Sequence, residues 1–227
     1  MKKPADLKIP SYEERKPCIV EGFLVVPSNY SLHDKWNPPS FSDPQIFNNN
    51  NDVCVEYCSG NGQWILEKAR QNPNINWVGV EKRFDRSRKI WVKKHNMNLN
   101  NLFVVYGEGL IFTKYYLKEN SISSIFINFP DPWPKNCHIK NRLVNTPFME
   151  ELSRVIKPMG NATFVTDDDK ATEWIIKVVS KEKQWRSSYE KPYFTCDFPD
   201  YGDSYFKDLW VKKGLQIKYM QWQNQKL

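Results

Sequence analysis

From residue 53 onward the chain alternates between short apolar runs and longer amphipathic stretches. Val53-Cys-Val-Glu-Tyr57, Asn76-Trp-Val-Gly-Val80 and Leu102-Phe-Val-Val-Tyr106 are rich in β-branched and aromatic side chains. Such compact runs read as strands buried on both faces. Residues 122–129 make a fourth strand and 162–165 a fifth. Residues 64–71, 84–95, 148–156 and 170–179 carry apolar positions at helical spacing, and another helix is expected between the third and fourth strands. Strands separated by helices imply βαβ units with right-handed crossovers, so the fold class is a doubly wound, Rossmann-like α/β sheet, mostly parallel. An irregular aromatic segment follows residue 181, and a final strand at 215–219 is expected to be antiparallel.

Residues 1–50 lack this periodicity. They are rich in Pro, Asn and Ser, with Trp36-Asn-Pro-Pro-Ser40 and an Asn run at 48–51. They read as an irregular N-terminal arm, ordered in part by Phe23 to Val26, ahead of one domain spanning 51–227.

Composition narrows the class. In 227 residues, 40% hydrophobic content is enough to build a core, and 9 glycines are too few for a collagen-like or linker chain. No apolar run approaches the ~20 residues of a membrane helix. A non-membrane, cytoplasmic protein is the expectation. Five cysteines without a C-x-x-C pair read as reduced thiols, and three scattered histidines give no metal site. The excess of 33 Lys and Arg over 26 Asp and Glu, a formal charge of +7, fits either a nucleic-acid partner or a solvated basic surface.

Open α/β sheets bind ligands outside the carboxyl ends of their strands. An acid stands just past each of four successive strands: Glu56 in the first loop, Glu81, Glu108 and Asp131. The first loop, Glu56-Tyr-Cys-Ser-Gly-Asn-Gly62, has glycines that let a ligand approach the backbone, with Cys58 where a dinucleotide motif would have its first glycine. It reads either as a cofactor loop or as a plain strand-to-helix turn. Glu81 lies 19 residues beyond Gly62, near the spacing at which an acid accepts from ribose hydroxyls, and a helix-capping role is the alternative. Together they favour an adenosine-containing cofactor. Without a phosphate-binding lysine motif, S-adenosylmethionine fits better than ATP.

In Asn128-Phe-Pro-Asp-Pro-Trp-Pro-Lys135, three prolines fix the backbone around Asp131 and Trp133. The loop that follows carries Lys135, Lys140 and Arg142, which either pair with phosphates or are merely solvated. The helical stretch Lys82–Lys94 adds Arg83, Arg86, Arg88, Lys89 and Lys93 on its outer face, which reads as a charged solvent face ahead of a nucleic-acid footprint.

This order of motifs resembles the bacterial tRNA (guanine-N7-)-methyltransferase family over roughly residues 50–221, and the F-P-D-P-W-P-K run is specific to it. The resemblance implies a class I S-adenosylmethionine-dependent enzyme that methylates guanosine 46 in the tRNA variable loop, working as a monomer or homodimer. It further implies cofactor contacts at Glu56, Glu81, Glu108 and Asp131, with Asp131 also catalytic. Substrate contacts fall at Lys135, at Asp167 of Thr166-Asp167, and at Ser204 of Ser204-Tyr-Phe-Lys207. The chain departs from the family pattern at Cys58 (family Gly), Glu108 (usually Asp) and Lys207 (family Glu). Its basic loop is also thinner, with Cys137, Ile139 and Asn141 where Arg, Asn and Arg are common. The competing readings are a methyltransferase acting on an exocyclic amine, and an RNA-binding module that has lost catalysis.

Overall fold

The N-terminal arm, expected to be irregular, carries two strands: β1 (Cys18–Val20) and β2 (Phe23–Val25). They form an antiparallel hairpin turned at Glu21 and Gly22, both in the left-handed region. Phe23 and Leu24 are buried, which draws β2 into the sheet beside a strand remote in sequence. The computed structural model describes residues 1–9 and 16–226. Residues 10–15 of the arm lie outside that range.

By its contacts the chain divides into two compact units, Met1–Leu117 and Lys118–Leu227. In the first, β3 (Val53–Tyr57), β4 (Asn76–Glu81) and β5 (Leu102–Tyr106) alternate with α1 (Gln63–Gln71), α2 (Phe84–Asn96) and α3 (Gly109–Tyr116). The strand order is β1-β2-β5-β4-β3, and β2 to β3 are all parallel. β3 and β4 are buried along their whole length. That is why they read as continuous apolar runs without alternation. Gly62 caps α1 at φ 79°, and a Cβ there would stand 2.7 Å from Ile90 Cγ1, so both backbone and packing demand glycine. Helix α2 lays Ser87, Ile90, Trp91 and Lys94 inward. Trp91 Nε1 donates to the Glu21 carbonyl at 3.0 Å and so ties the arm hairpin to the helix.

The second unit contains β6 (Ile122–Asn128), α4 (Thr146–Val155), β7 (Ile156–Thr166), α5 (Asp169–Val179), β8 (Trp185–Ser187), α6 (Tyr205–Lys212) and β9 (Lys218–Asn224). Its strand order is β6-β7-β9-β8. β6 and β7 are parallel; β9 runs antiparallel to β7 and to β8. The expected antiparallel strand therefore exists, but it starts at Lys218, not at 215. Gly214 at φ 78° closes α6, and Leu215 N donates to Trp210 O, which keeps 215–217 off the sheet. α6 and β8 lie in what the sequence presented as irregular aromatic chain.

Candidate active site

The three acids of the first unit stand at the carboxyl ends of adjacent parallel strands. Glu56 pairs in register with Gly79, and Glu81 with Tyr106. Glu56 is 2% exposed. The loop after it turns sharply: Cys58, Gly60 and Gly62 have φ of 63°, 55° and 79°. Ser59 pins the turn, its N–H donating to Val80 O and its hydroxyl to Glu56 O. A residue with a Cβ at φ 63° is strained, and glycine would take the same backbone without that cost.

Glu81 locks this loop to the start of α2. Its Oε2 accepts the Gly60 N–H and its Oε1 the Arg83 N–H, each at 2.8 Å. Burial pushes its pKa up, opposed by those two N–H groups and by the charges of Arg86 and Lys82. A desolvated carboxylate with each oxygen holding one fixed donor has lone pairs left for further donors, as a ribose diol supplies. Glu108 differs in setting. It is exposed, opens α3 without making a capping hydrogen bond, and lines a cavity of about 320 Å³. Lys82, Phe84, Tyr106 and Gly107 share that cavity with Val26 to Asn29 of the arm. The acceptors and the glycine-bearing loop fit S-adenosylmethionine, whose hydroxyls and amines are donors. Arg83, which holds one oxygen of Glu81 through its backbone, carried no signal in the sequence because the contact does not involve its side chain.

In the second unit, Asp131 sits on the turn after β6. Phe129 and Trp133 have φ of 49° and 42°. Two bulky residues in this region, alternating with prolines, make a strained and over-determined turn of the kind that gathers at functional sites. Phe129 N donates to Val165 O at 2.8 Å, which ties the turn to the end of β7. Arg142 holds it from the other side, with Nε donating to Pro132 O at 2.9 Å and Nη2 to Trp133 O at 3.1 Å. The guanidinium also lies 4.7 Å from the centre of the Trp174 ring. Arg142, grouped by sequence with Lys135 and Lys140 as a phosphate contact, is thus a brace for the turn. Lys135 and Lys140 are exposed.

Asp167 follows β7, so parallel pairing brings it to the same edge as the turn of Asp131. Burial and the charge of Asp168 push its pKa up, while Lys218 and Lys213 pull it down. Asp168 caps α5, accepting from Ala171 N at 2.7 Å. Ser204 is buried and caps α6, its oxygen accepting from Lys207 N at 3.1 Å. Lys207 turns back to Gly202 O and Asp203. The Phe206 ring stands 5.8 Å from that of Phe129, which brings the start of α6 to the turn of Asp131. Among the described residues no helix is long and apolar enough to cross a membrane.

Comparison with known proteins decides the family. Residues 50–216 match the family described as "Putative methyltransferase". A tRNA (guanine-N(7)-)-methyltransferase of Chlamydia abortus is 42% identical over 218 residues, 96% of each chain. The chain belongs to the tRNA (guanine-N(7)-)-methyltransferase family. The relative of that name in Chlamydia trachomatis is 39% identical over 95% of each chain, and that of Clostridioides difficile 28% over 95% of this chain and 94% of its own. Among solved structures, the 16S rRNA methyltransferase KamB superposes with a TM-score of 0.58 at 14% identity, covering 83% of this chain and 95% of its own. That likeness shows the fold: the Rossmann-like methyltransferase sheet.

Proposed function

We propose that this protein transfers a methyl group from S-adenosylmethionine to N7 of guanosine 46 in the variable loop of tRNA, in the cytoplasm, through a methyltransferase domain spanning 51–227. The observation that carries this reading is the match, along nearly the whole chain, to relatives that bear the activity in their names. S-adenosylmethionine supplies an electrophilic methyl on a sulfonium. Glu56, Glu81 and Glu108 hold it, Glu81 through the ribose and Glu108 through the cavity beside it.

Guanine N7 is a lone pair with no proton, so the reaction needs no general base. What the chain must supply is position and charge. Asp131, on a turn fixed by Arg142 and by strand β7, accepts donors of the guanine edge and offsets the positive charge that grows on the ring. Lys135 meets the RNA backbone. Asp167 and Ser204 contact the substrate nucleotide, Ser204 through its hydroxyl proton, since its oxygen already caps α6. Reaching the base requires splaying it out of the tRNA, as other base-modifying enzymes do.

The test is labelled methyl transfer to unmodified tRNA transcripts followed by nucleoside analysis. 7-Methylguanosine at one variable-loop position supports the reading. A methylated exocyclic amine, or tRNA binding without transfer, overturns it.

A further inference from the structure

Among the described residues, α6 is the one α-helix without a buried side chain. Every residue of Tyr205–Lys212 is at least partly exposed, and Tyr205, Val211 and, just beyond the helix, Leu215 are 52%, 53% and 42% exposed. An eight-residue helix is marginal in water and is normally held by packing an apolar face. The contacts that hold it include the Ser204 cap, the Lys207 tether and the ring of Phe206 against Phe129. The outward side is aromatic and basic together. Lys213 Nζ lies 4.4 Å from the centre of the Trp210 ring, and Lys212 and Lys213 are both exposed. Residues 204–218 hold four lysines and one aspartate. Lys213 and Lys218 are also close enough to Asp167 to lower its pKa, so this basic face reaches the edge where the substrate residues stand.

We propose that the outward face of α6 and the turn after it form a second RNA contact, engaging the strand beside the methylated guanosine. Lys212 and Lys213 meet backbone phosphates. Tyr205 and Trp210 offer rings for an unstacked base or a ribose, as aromatic side chains do in single-stranded RNA recognition. The positive charge selects RNA over an apolar partner for this surface. Through Phe206 the contact bears on Phe129, the first residue of the turn that carries Asp131, so RNA seated on α6 also steadies that turn. The inference rests on tRNA being the substrate.

The experiment compares the full chain with Lys212→Gln/Lys213→Gln and, separately, Tyr205→Ala. Binding of an unmodified tRNA transcript is followed by anisotropy across a salt series. Cofactor affinity by calorimetry and the melting temperature report on folding. Loss of two phosphate contacts should weaken binding roughly 10-fold or more at low salt and flatten the log–log salt slope by about 1.4–1.8. Tyr205→Ala should weaken binding about 5-fold or more, with a wild-type slope, because stacking is not ionic. Wild-type slope and affinity in the lysine variant overturn the proposal. So does conversion of a dimer to a monomer in sedimentation with tRNA affinity unchanged, which would make α6 a self-association face. If the wild type yields no 7-methylguanosine, the proposed function fails. If it yields the product while both variants bind like wild type, only this inference fails.

Discussion

Arg142 donates to the backbone carbonyl of Trp133 across nine residues, at 3.1 Å, and so turns a loop cation into a strut for the turn of Asp131. This separates it from Lys135 and Lys140, which point to solvent. Arg142→Ala removes two charge-assisted hydrogen bonds and a ring contact, with an expected loss of about 1.5–3 kcal/mol of stability. kcat should fall while the salt slope of tRNA binding stays as in wild type. Lys135→Gln/Lys140→Gln should do the opposite, flattening the slope by about 1.4–1.8 and leaving the melting temperature unchanged. A flattened slope in Arg142→Ala would return the residue to the phosphate contacts.

Glu81→Gln keeps the shape but removes the charge, and one of its two backbone donors loses its acceptor to an amide NH2. Cofactor affinity should fall about 10- to 150-fold, the equivalent of about 1.5–3 kcal/mol. Burial raises the pKa of Glu81 above the usual carboxylate range. Cofactor affinity should therefore start to fall in mild acid, as pH drops through that raised value. For stability the sign is reversed: a raised carboxyl contributes most when protonated, and that contribution is lost as pH rises through its folded pKa. Calorimetric affinity that is flat from neutral into mild acid would remove Glu81 from the cofactor site.

Much of this was legible in the sequence, for a reason that also explains what was not. β5 falls at Leu102–Tyr106 as expected because a strand buried on both faces has to be a compact apolar run. The acids past the strands were legible because parallel topology puts strand ends on one edge. Arg142 was not, because a charge in a loop reads the same whether it faces water or two carbonyls. α6 was not, because its eight residues make barely two turns, and their apolar positions do not stand out from the aromatic chain on either side. β1 and β2 are three residues each, too short for alternation to register; pairing with β5 recruits β2, and β1 follows as its hairpin partner.

Cys58 holds a φ of 63°, in the left-handed region that favours glycine. Left-handed backbone costs a residue with a Cβ about 1–2 kcal/mol, and glycine returns part of that through unfolded-state entropy of about 0.4–1 kcal/mol. Cys58→Gly should therefore gain up to about 1 kcal/mol, measured as a raised denaturation midpoint at constant m. Cys58→Ala, which keeps the Cβ and the strain, should not. Equal effects of the two would assign the change to the thiol instead of the backbone.

Lys94 is 7% exposed on the inner side of α2, and burial lowers its pKa from 10.5 to about 8. Between those values the unfolded chain binds more protons, so the stability of the wild type should rise with pH across that window. Below pH 8 the cost of the buried charge is constant. Lys94→Met should stabilise the protein by roughly 1–3 kcal/mol near neutral pH. That advantage should shrink as pH climbs from 8 towards 10.5. Denaturation at pH 7 and pH 10 checks both statements, and a gap that does not narrow would mean that the amine is not desolvated.

Asp131 separates methylation at N7 from methylation at an amine. An amine nucleophile must lose a proton, so a carboxylate beside it would act as a base and the rate would fall in an acidic limb as that carboxylate protonates. N7 has no proton to lose. There Asp131 only orients guanine and opposes the charge growing on the ring, so kcat at saturating substrates should lack any limb for a required base. Asp131→Asn keeps the turn and the side-chain volume but removes the charge. It should lower kcat by about 10²–10³, the scale of losing one electrostatic stabiliser. Its melting temperature should match wild type, since the carboxylate is exposed and the turn is held by Arg142 and Val165. The product closes the case chemically: a 7-methylguanosine ring is cationic, and after borohydride reduction aniline cleaves the strand at that nucleotide. Cleavage at one variable-loop site with wild-type enzyme, sharply reduced with Asp131→Asn, is the expected result. An aniline-resistant product together with an acidic limb in kcat would make Asp131 a base and the nucleophile an exocyclic amine.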